Sequence, residues 1–165
     1  MAPSRTPLPS TDIQPALHVV LVAPEIPPNT GSIARLCAAT ATRLHLIRPL
    51  GFSLDDRYLK RAGLDYWPYV DVHVYDNWPQ FRQQYSSARL HFFSARAARS
   101  YLTVRYARGD TLVFGSETKG LPSTLLATHA DDTYVIPIAN PHVRSLNLSN
   151  AVSIVVYEAL RQLAG

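Results

Sequence analysis

From residue 17 onward the chain alternates short apolar runs with stretches of helical period, and this alternation restricts its fold more than any other feature. Leu17–Val22, Leu44–Ile47, Leu90–Ser94, Thr111–Phe114 and Tyr134–Ile138 read as buried strands. Val70, Val72 and Val74 alternate as in a strand. Between them lie helical patterns. Asn29 or Thr30 can cap a helix whose Ile33, Leu36, Cys37 and Thr40 share a face. Ser53 and Asp56 resemble a capping box with Gly63 as the stop. Asn77 can open a helix to about Tyr85, and Pro122–His129 is short and helical. In Asn147–Leu163 the residues Leu148, Val152, Val155, Ala159 and Leu163 form one stripe. Strands alternating with helices predict an α/β domain: a mainly parallel sheet flanked by helices. Ligands of such sheets bind beyond the carboxyl ends of the strands.

A chain of 165 residues suits one domain, here 17–165, preceded by a flexible arm, 1–16, carrying Pro3, Pro7, Pro9 and Pro15. Cys37 is the single cysteine, so neither an internal disulfide nor a cysteine zinc site can form. No metal spacing links the histidines; His18, His45, His73 and His91 fall in strands, and only His142 lies in a polar loop. No apolar stretch approaches a membrane span, and a cytoplasmic protein without membrane or metal partners is expected. The net charge is +4, carried by fourteen arginines against two lysines. Arginine suits planar contact with phosphate, although an arginine-rich proteome would give the same count.

Three segments follow strands and carry polar chemistry. Ala23–Arg35, APEIPPNTGSIAR, is a stiff loop ending at a helix start, where Asn29, Thr30 and Ser32 could receive an anion; a turn with an ordinary N-cap would look the same. Phe114–Pro122, FGSETKGLP, has Gly115 and Gly120 for close backbone approach. It matches neither a P-loop nor a dinucleotide fingerprint, and Glu117 and Lys119 could belong to a solvated turn. Ile136–Asn150, IPIANPHVRSLNLSN, opens the last helix with Ser145, Asn147, Ser149 and Asn150, more than one cap requires. Between Arg82 and Arg108 stand Arg82, Arg89, Arg96, Arg99, Arg105 and Arg108, with Tyr85, Tyr101 and Tyr106 and no acidic residue. That run suits RNA, phosphates on arginines and bases on rings, or equally a solvated face over core tyrosines.

Together, PEIPPNTG-x-IARLCA, RAGLDYW at Arg61–Trp67, FG-x-ET-x-GLP and RSLNLSNAVS-x-VVYEALRQ resemble the SPOUT superfamily of RNA methyltransferases. The resemblance is greatest to the TrmL-type tRNA (cytidine/uridine-2′-O-)-methyltransferases and runs from about residue 17 to 163. Ser116 stands where that group more often has proline. The resemblance implies a C-terminal trefoil knot, which chain-topology rules alone would reject. It implies S-adenosylmethionine as cofactor, held by Phe93, Ser94, Gly115, Ile136, Ser145 and Leu146. It places Arg35, Asn29, Glu117, Ser145 and Asn147 at the catalytic centre and makes tRNA the substrate and a homodimer the working form. The dimer contacts would be the first helix and the apolar stripe of the last. RNA would be bound by Arg35, Arg82, Arg96, Arg99 and Arg105. A ribosomal RNA substrate, or RNA binding without turnover, are the competing functions. Arginine is not deprotonated in proteins, so Arg35 is expected to hold a phosphate and the developing oxyanion.

Overall fold

The computed structural model describes residues 14–55 and 67–165. The capping box partner Asp56, Gly63 and residues 61–66 of the RAGLDYW stretch lie outside the described residues. In chain order the strands are β1 (Leu17–Val22), β2 (Arg43–Ile47), β3 (Val72–Tyr75), β4 (Leu90–Phe93), β5 (Arg99–Ser100), β6 (Asp110–Phe114) and β7 (Thr133–Val135). The α-helices are α1 (Pro27–Thr40), α2 (Trp78–Gln84), α3 (Ser123–Thr128) and α4 (Leu148–Ala164). The strands form one seven-stranded sheet in the order β3-β2-β1-β6-β4-β7-β5, with every pairing parallel.

Because side chains alternate across a strand, β1 supplies two cores. Leu17, Val19 and Leu21 face α1 and α4, where Ile33, Cys37, Val152, Val155 and Ala159 are buried with them. Val20 and Val22 face α2 and α3, against Phe81, Phe92, Val113 and Leu121. The same face carries a buried chain of polar rings. His18 Nδ1 lies 2.9 Å from His45 Nε2, and His45 Nδ1 lies 2.9 Å from the Tyr75 hydroxyl. Burial pushes His18 down to about 4 and His45 to about 2, so both imidazoles are neutral. Burial also raises the Cys37 thiol to about 12, which leaves it unreactive at neutral pH.

Several local details differ from expectation. Neither Asn29 nor Thr30 caps α1: the helix starts at Pro27, Ile26 stands at its N-cap, and Asn29 and Thr30 are buried in its first turns. Proline fits the first helical positions because its missing N–H would have no intrahelical acceptor there. The strand expected over Tyr134–Ile138 ends at Val135, and β5 was not foreseen because two residues carry no period. Asn77 does cap α2, accepting from the Gln80 N–H at 2.9 Å. Asn147 likewise caps α4. The α4 stripe is spent on the chain's own core, so it offers no interface; Ile154 and Tyr157 are its exposed apolar residues. Tyr106 is buried in the core and donates to the Tyr101 carbonyl at 3.0 Å. It is therefore no platform for a base.

Candidate active site

The loops leaving β4, β6 and β7 meet beyond the carboxyl ends of those strands, around a cleft of about 540 Å³. That volume suits a ligand the size of a nucleoside derivative. Phe93 and Phe114 end adjacent strands and stack with centroids 4.9 Å apart. With Leu126, Ile136, Ile138, Leu146 and Leu148 they give the cleft an apolar lining. Ser94, Arg96, Ser116, Glu117, Lys119, Arg144 and Ser145 add polar groups. All six residues expected to hold the cofactor, Phe93, Ser94, Gly115, Ile136, Ser145 and Leu146, stand around this one space. An apolar slot edged by hydroxyl and backbone groups fits a purine and a ribose.

The loop after β6 is a tight hairpin. Ser116 and Gly120 exchange backbone hydrogen bonds at 3.2 and 3.0 Å, and the Ser116 hydroxyl accepts from the Lys119 N–H at 3.2 Å. Serine thus closes the turn where proline is commoner in the resembled group. A Cβ on Gly115 would lie 2.0 Å from the Gly120 carbonyl carbon, so the glycine is required by the loop's own backbone.

Glu117 leaves this hairpin and reaches the start of α1. Its carboxylate accepts from the Glu25 N–H at 2.9 Å and from the Ile26 N–H. These donors precede a helix that lacks a side-chain cap. The anion expected at this helix start is therefore the protein's own carboxylate, from 92 residues away. In return, the Thr118 hydroxyl donates to the Glu25 carboxylate, 2.7 and 2.9 Å from its oxygens, and this bond chiefly holds Glu25 below the usual carboxylate range.

A second link joins α1 to the segment that leads into α4. Asn147 Oδ1 accepts from the Ser149 and Asn150 N–H groups, while Asn147 Nδ2 donates to Asn29 Oδ1 at 3.1 Å. Asn29 and Asn147 are thus brought together, beside Ser145 and Leu146 of the cleft. Arg35 is exposed on α1 and is not among the residues lining the cleft.

A family model described as the SpoU rRNA methylase family matches residues 16–157. The chain belongs to the SpoU methylase family. A tRNA (cytidine(34)-2′-O)-methyltransferase from Saccharophagus degradans is 50% identical over 147 residues, 88% of this chain and 95% of the relative. A solved structure described by the 2-OH methylation of C/U34 on tRNA is 51% identical with a TM-score of 0.84, over 90% of this chain and 97% of that one. An AdoMet-bound rRNA methyltransferase from Sinorhizobium meliloti is 25% identical with a TM-score of 0.76, over 92% of this chain and 59% of that one.

In this SpoU methylase the arginine run does not form one patch. Arg96 lines the cleft. Arg99, on β5, lies with its guanidinium 5.0 Å from the centre of the Tyr134 ring and donates to the Asp131 carbonyl. Arg89, Arg105 and Arg108 precede β4 and β6, at the amino edge of a parallel sheet and so across the molecule from the cleft. Arg82, near the end of α2, donates to the Tyr85 carbonyl at 2.9 Å, and Arg89 donates to the Arg105 carbonyl at 2.6 Å. Arg144 and Lys119 were passed over as site residues in the sequence, yet both line the cleft. Their signal was position alone: each sits within a polar segment that follows a strand.

Among the described residues no helix is long and apolar enough to cross a membrane. No group of three or more candidate ligands there could hold a metal ion.

Proposed function

We infer that this SpoU methylase transfers a methyl group from S-adenosylmethionine to the ribose 2′-hydroxyl of cytidine or uridine 34 in tRNA. One observation carries this: relatives named tRNA (cytidine(34)-2′-O)-methyltransferase are about half identical over almost the whole chain. The gathering of the expected cofactor residues around a single cleft agrees with it. When bound, the cofactor supplies an electrophilic methyl on a sulfonium. Everything else falls to the protein. Phe93, Gly115, Ile136 and Leu146 would hold the adenosine, and Ser94 and Ser145 would bond its polar edge. Asn29 and Asn147 would fix the ribose-facing rim.

Arg35 would bind a phosphate beside the target ribose and stabilise the oxygen as negative charge develops there. The hydroxyl proton would pass to water or to an RNA phosphate. Glu117 would hold the approach of α1. Arg96 and Arg99 would meet the RNA backbone beside the cleft, joined by Arg144 and Lys119. Arg82 and Arg105 could take part only if the RNA also reached the amino edge.

The chain would act in the cytoplasm as a homodimer, with 17–165 as one domain after the arm. The dimer surface would use exposed Ile26, Ile154 and Tyr157. The C-terminal segment would be knotted: β4 lies between β6 and β7, and after β7 the chain returns to place α4 against α1.

Nucleoside mass spectrometry of tRNA incubated with the enzyme and labelled S-adenosylmethionine tests the function. The expected product is a 2′-O-methylated pyrimidine at nucleotide 34. Label in ribosomal RNA but not in tRNA would overturn the substrate, and no transfer at all would overturn the activity. Arg35→Ala is expected to keep cofactor binding and lose methylation.

A further inference from the structure

The loop between β1 and α1 is held from both sides. On one side the Gly51 N–H donates to the Pro24 carbonyl at 2.9 Å, and a Cβ on Gly51 would lie 2.2 Å from the Glu25 carbonyl oxygen. On the other, the cleft hairpin makes a two-way clasp. Glu117 takes backbone N–H groups of Glu25 and Ile26, while Thr118 donates to the Glu25 side chain. Within the held loop Ala23 has φ of 54°, a left-handed conformation costly for alanine. Such a conformation persists where its surroundings fix it from several directions. The same loop launches α1, which carries Arg35 nine residues beyond Ile26, about 13 Å along the axis at the usual rise. A small tilt at the launch point is multiplied over that length. Thr118 lines the cleft and Glu25 does not.

We propose that Glu25 is a positioning residue which, through its contact with Thr118, fixes the direction in which α1 leaves the loop and so where Arg35 stands relative to the cleft. The proposal rests on the methyltransferase function inferred above. The clasp joins the hairpin that would touch the cofactor to the helix that would touch the RNA. Its loss slows transfer and leaves cofactor affinity in place, because Glu25 lies outside the cleft.

The test uses the full chain, tRNA and S-adenosylmethionine. Single-turnover methyl transfer is measured beside cofactor affinity by calorimetry. Glu25→Ala is expected to slow transfer at least tenfold, with the cofactor Kd changed less than threefold. Thr118→Val is expected to slow transfer equally, Thr118→Ser to restore it, and the double variant Glu25→Ala/Thr118→Val to be no slower than either single variant. Thermal melting shows that each variant is folded. A Glu25→Ala enzyme that transfers at the wild-type rate overturns the proposal. So does one whose Kd rises in step with the loss of rate, or a double variant whose losses multiply. Failure of the wild-type enzyme to methylate would instead overturn the underlying function.

Discussion

Replacing Asn147 by alanine removes a helix cap and a contact between distant segments together. The side chain accepts from the Ser149 and Asn150 N–H groups at 2.9 and 3.3 Å and donates to Asn29 at 3.1 Å. Loss of such a cap costs about 1 kcal/mol. Loss of the amide bond costs about 1 kcal/mol more and strips a partner from Asn29, which is only 9% exposed. The sum is about 2 kcal/mol, or a fall in Tm of about 4–8 °C for a chain of this size. Asn147→Ser separates the parts: serine caps a helix but is too short to reach Asn29. It should lose about 1 kcal/mol. Urea unfolding of both variants, of Asn29→Ala and of the double variants measures this. The Asn147→Ala and Asn29→Ala losses should couple by about 0.5–1.5 kcal/mol, and those of Asn147→Ser and Asn29→Ala should couple by a similar amount, because both substitutions at 147 remove the same bond. An Asn147→Ala protein within about 0.5 kcal/mol of wild type would refute the reasoning. So would a serine variant as unstable as the alanine one. Because Ser145 and Leu146 lie beside the cap, Asn147→Ala should also weaken cofactor binding, as read by calorimetry.

Acid should unfold the protein early. His45 is buried and neutral in the fold but takes a proton near pH 6.5 when unfolded, so its stabilisation is complete above that pH and is lost as pH falls toward 2. The urea midpoint should drop between pH 6 and 5, with a slope of about 1.4 kcal/mol per pH unit from His45 alone. His45→Gln, which hydrogen bonds without titrating, should flatten that slope, and an unchanged slope would exclude His45 as its source. Arg96→Ala should weaken tRNA binding and reduce its salt slope by about 1, while Arg82→Ala should alter neither; equal effects in a filter-binding titration would place the RNA across both edges of the sheet. Gly51→Ala should push the Glu25 backbone away and slow methyl transfer at least tenfold, and a wild-type rate would show that the loop yields without consequence.

The sequence by itself determined the elements and the order of the site segments. Apolar runs located five of the seven described strands because burial leaves an unbroken hydrophobic signature, and the alternation of Val70, Val72 and Val74 located β3. Asn77 and Asn147 marked helix starts because capping is a local bond. The four motif stretches were enough to suggest the family. Only the tertiary structure decided which polar groups meet. Glu117 reaches a helix start 92 residues away, and Asn147 meets Asn29 across 118, separations at which no period or cap signal survives. The arginine run was continuous in the chain but was divided when folded, because successive loops of a parallel sheet emerge at opposite edges. The start of α1 was misplaced because Pro27 and Pro28 have no N–H to cap and the Asn29 N–H bonds back to the Ile26 carbonyl, so the first turn uses no side-chain cap.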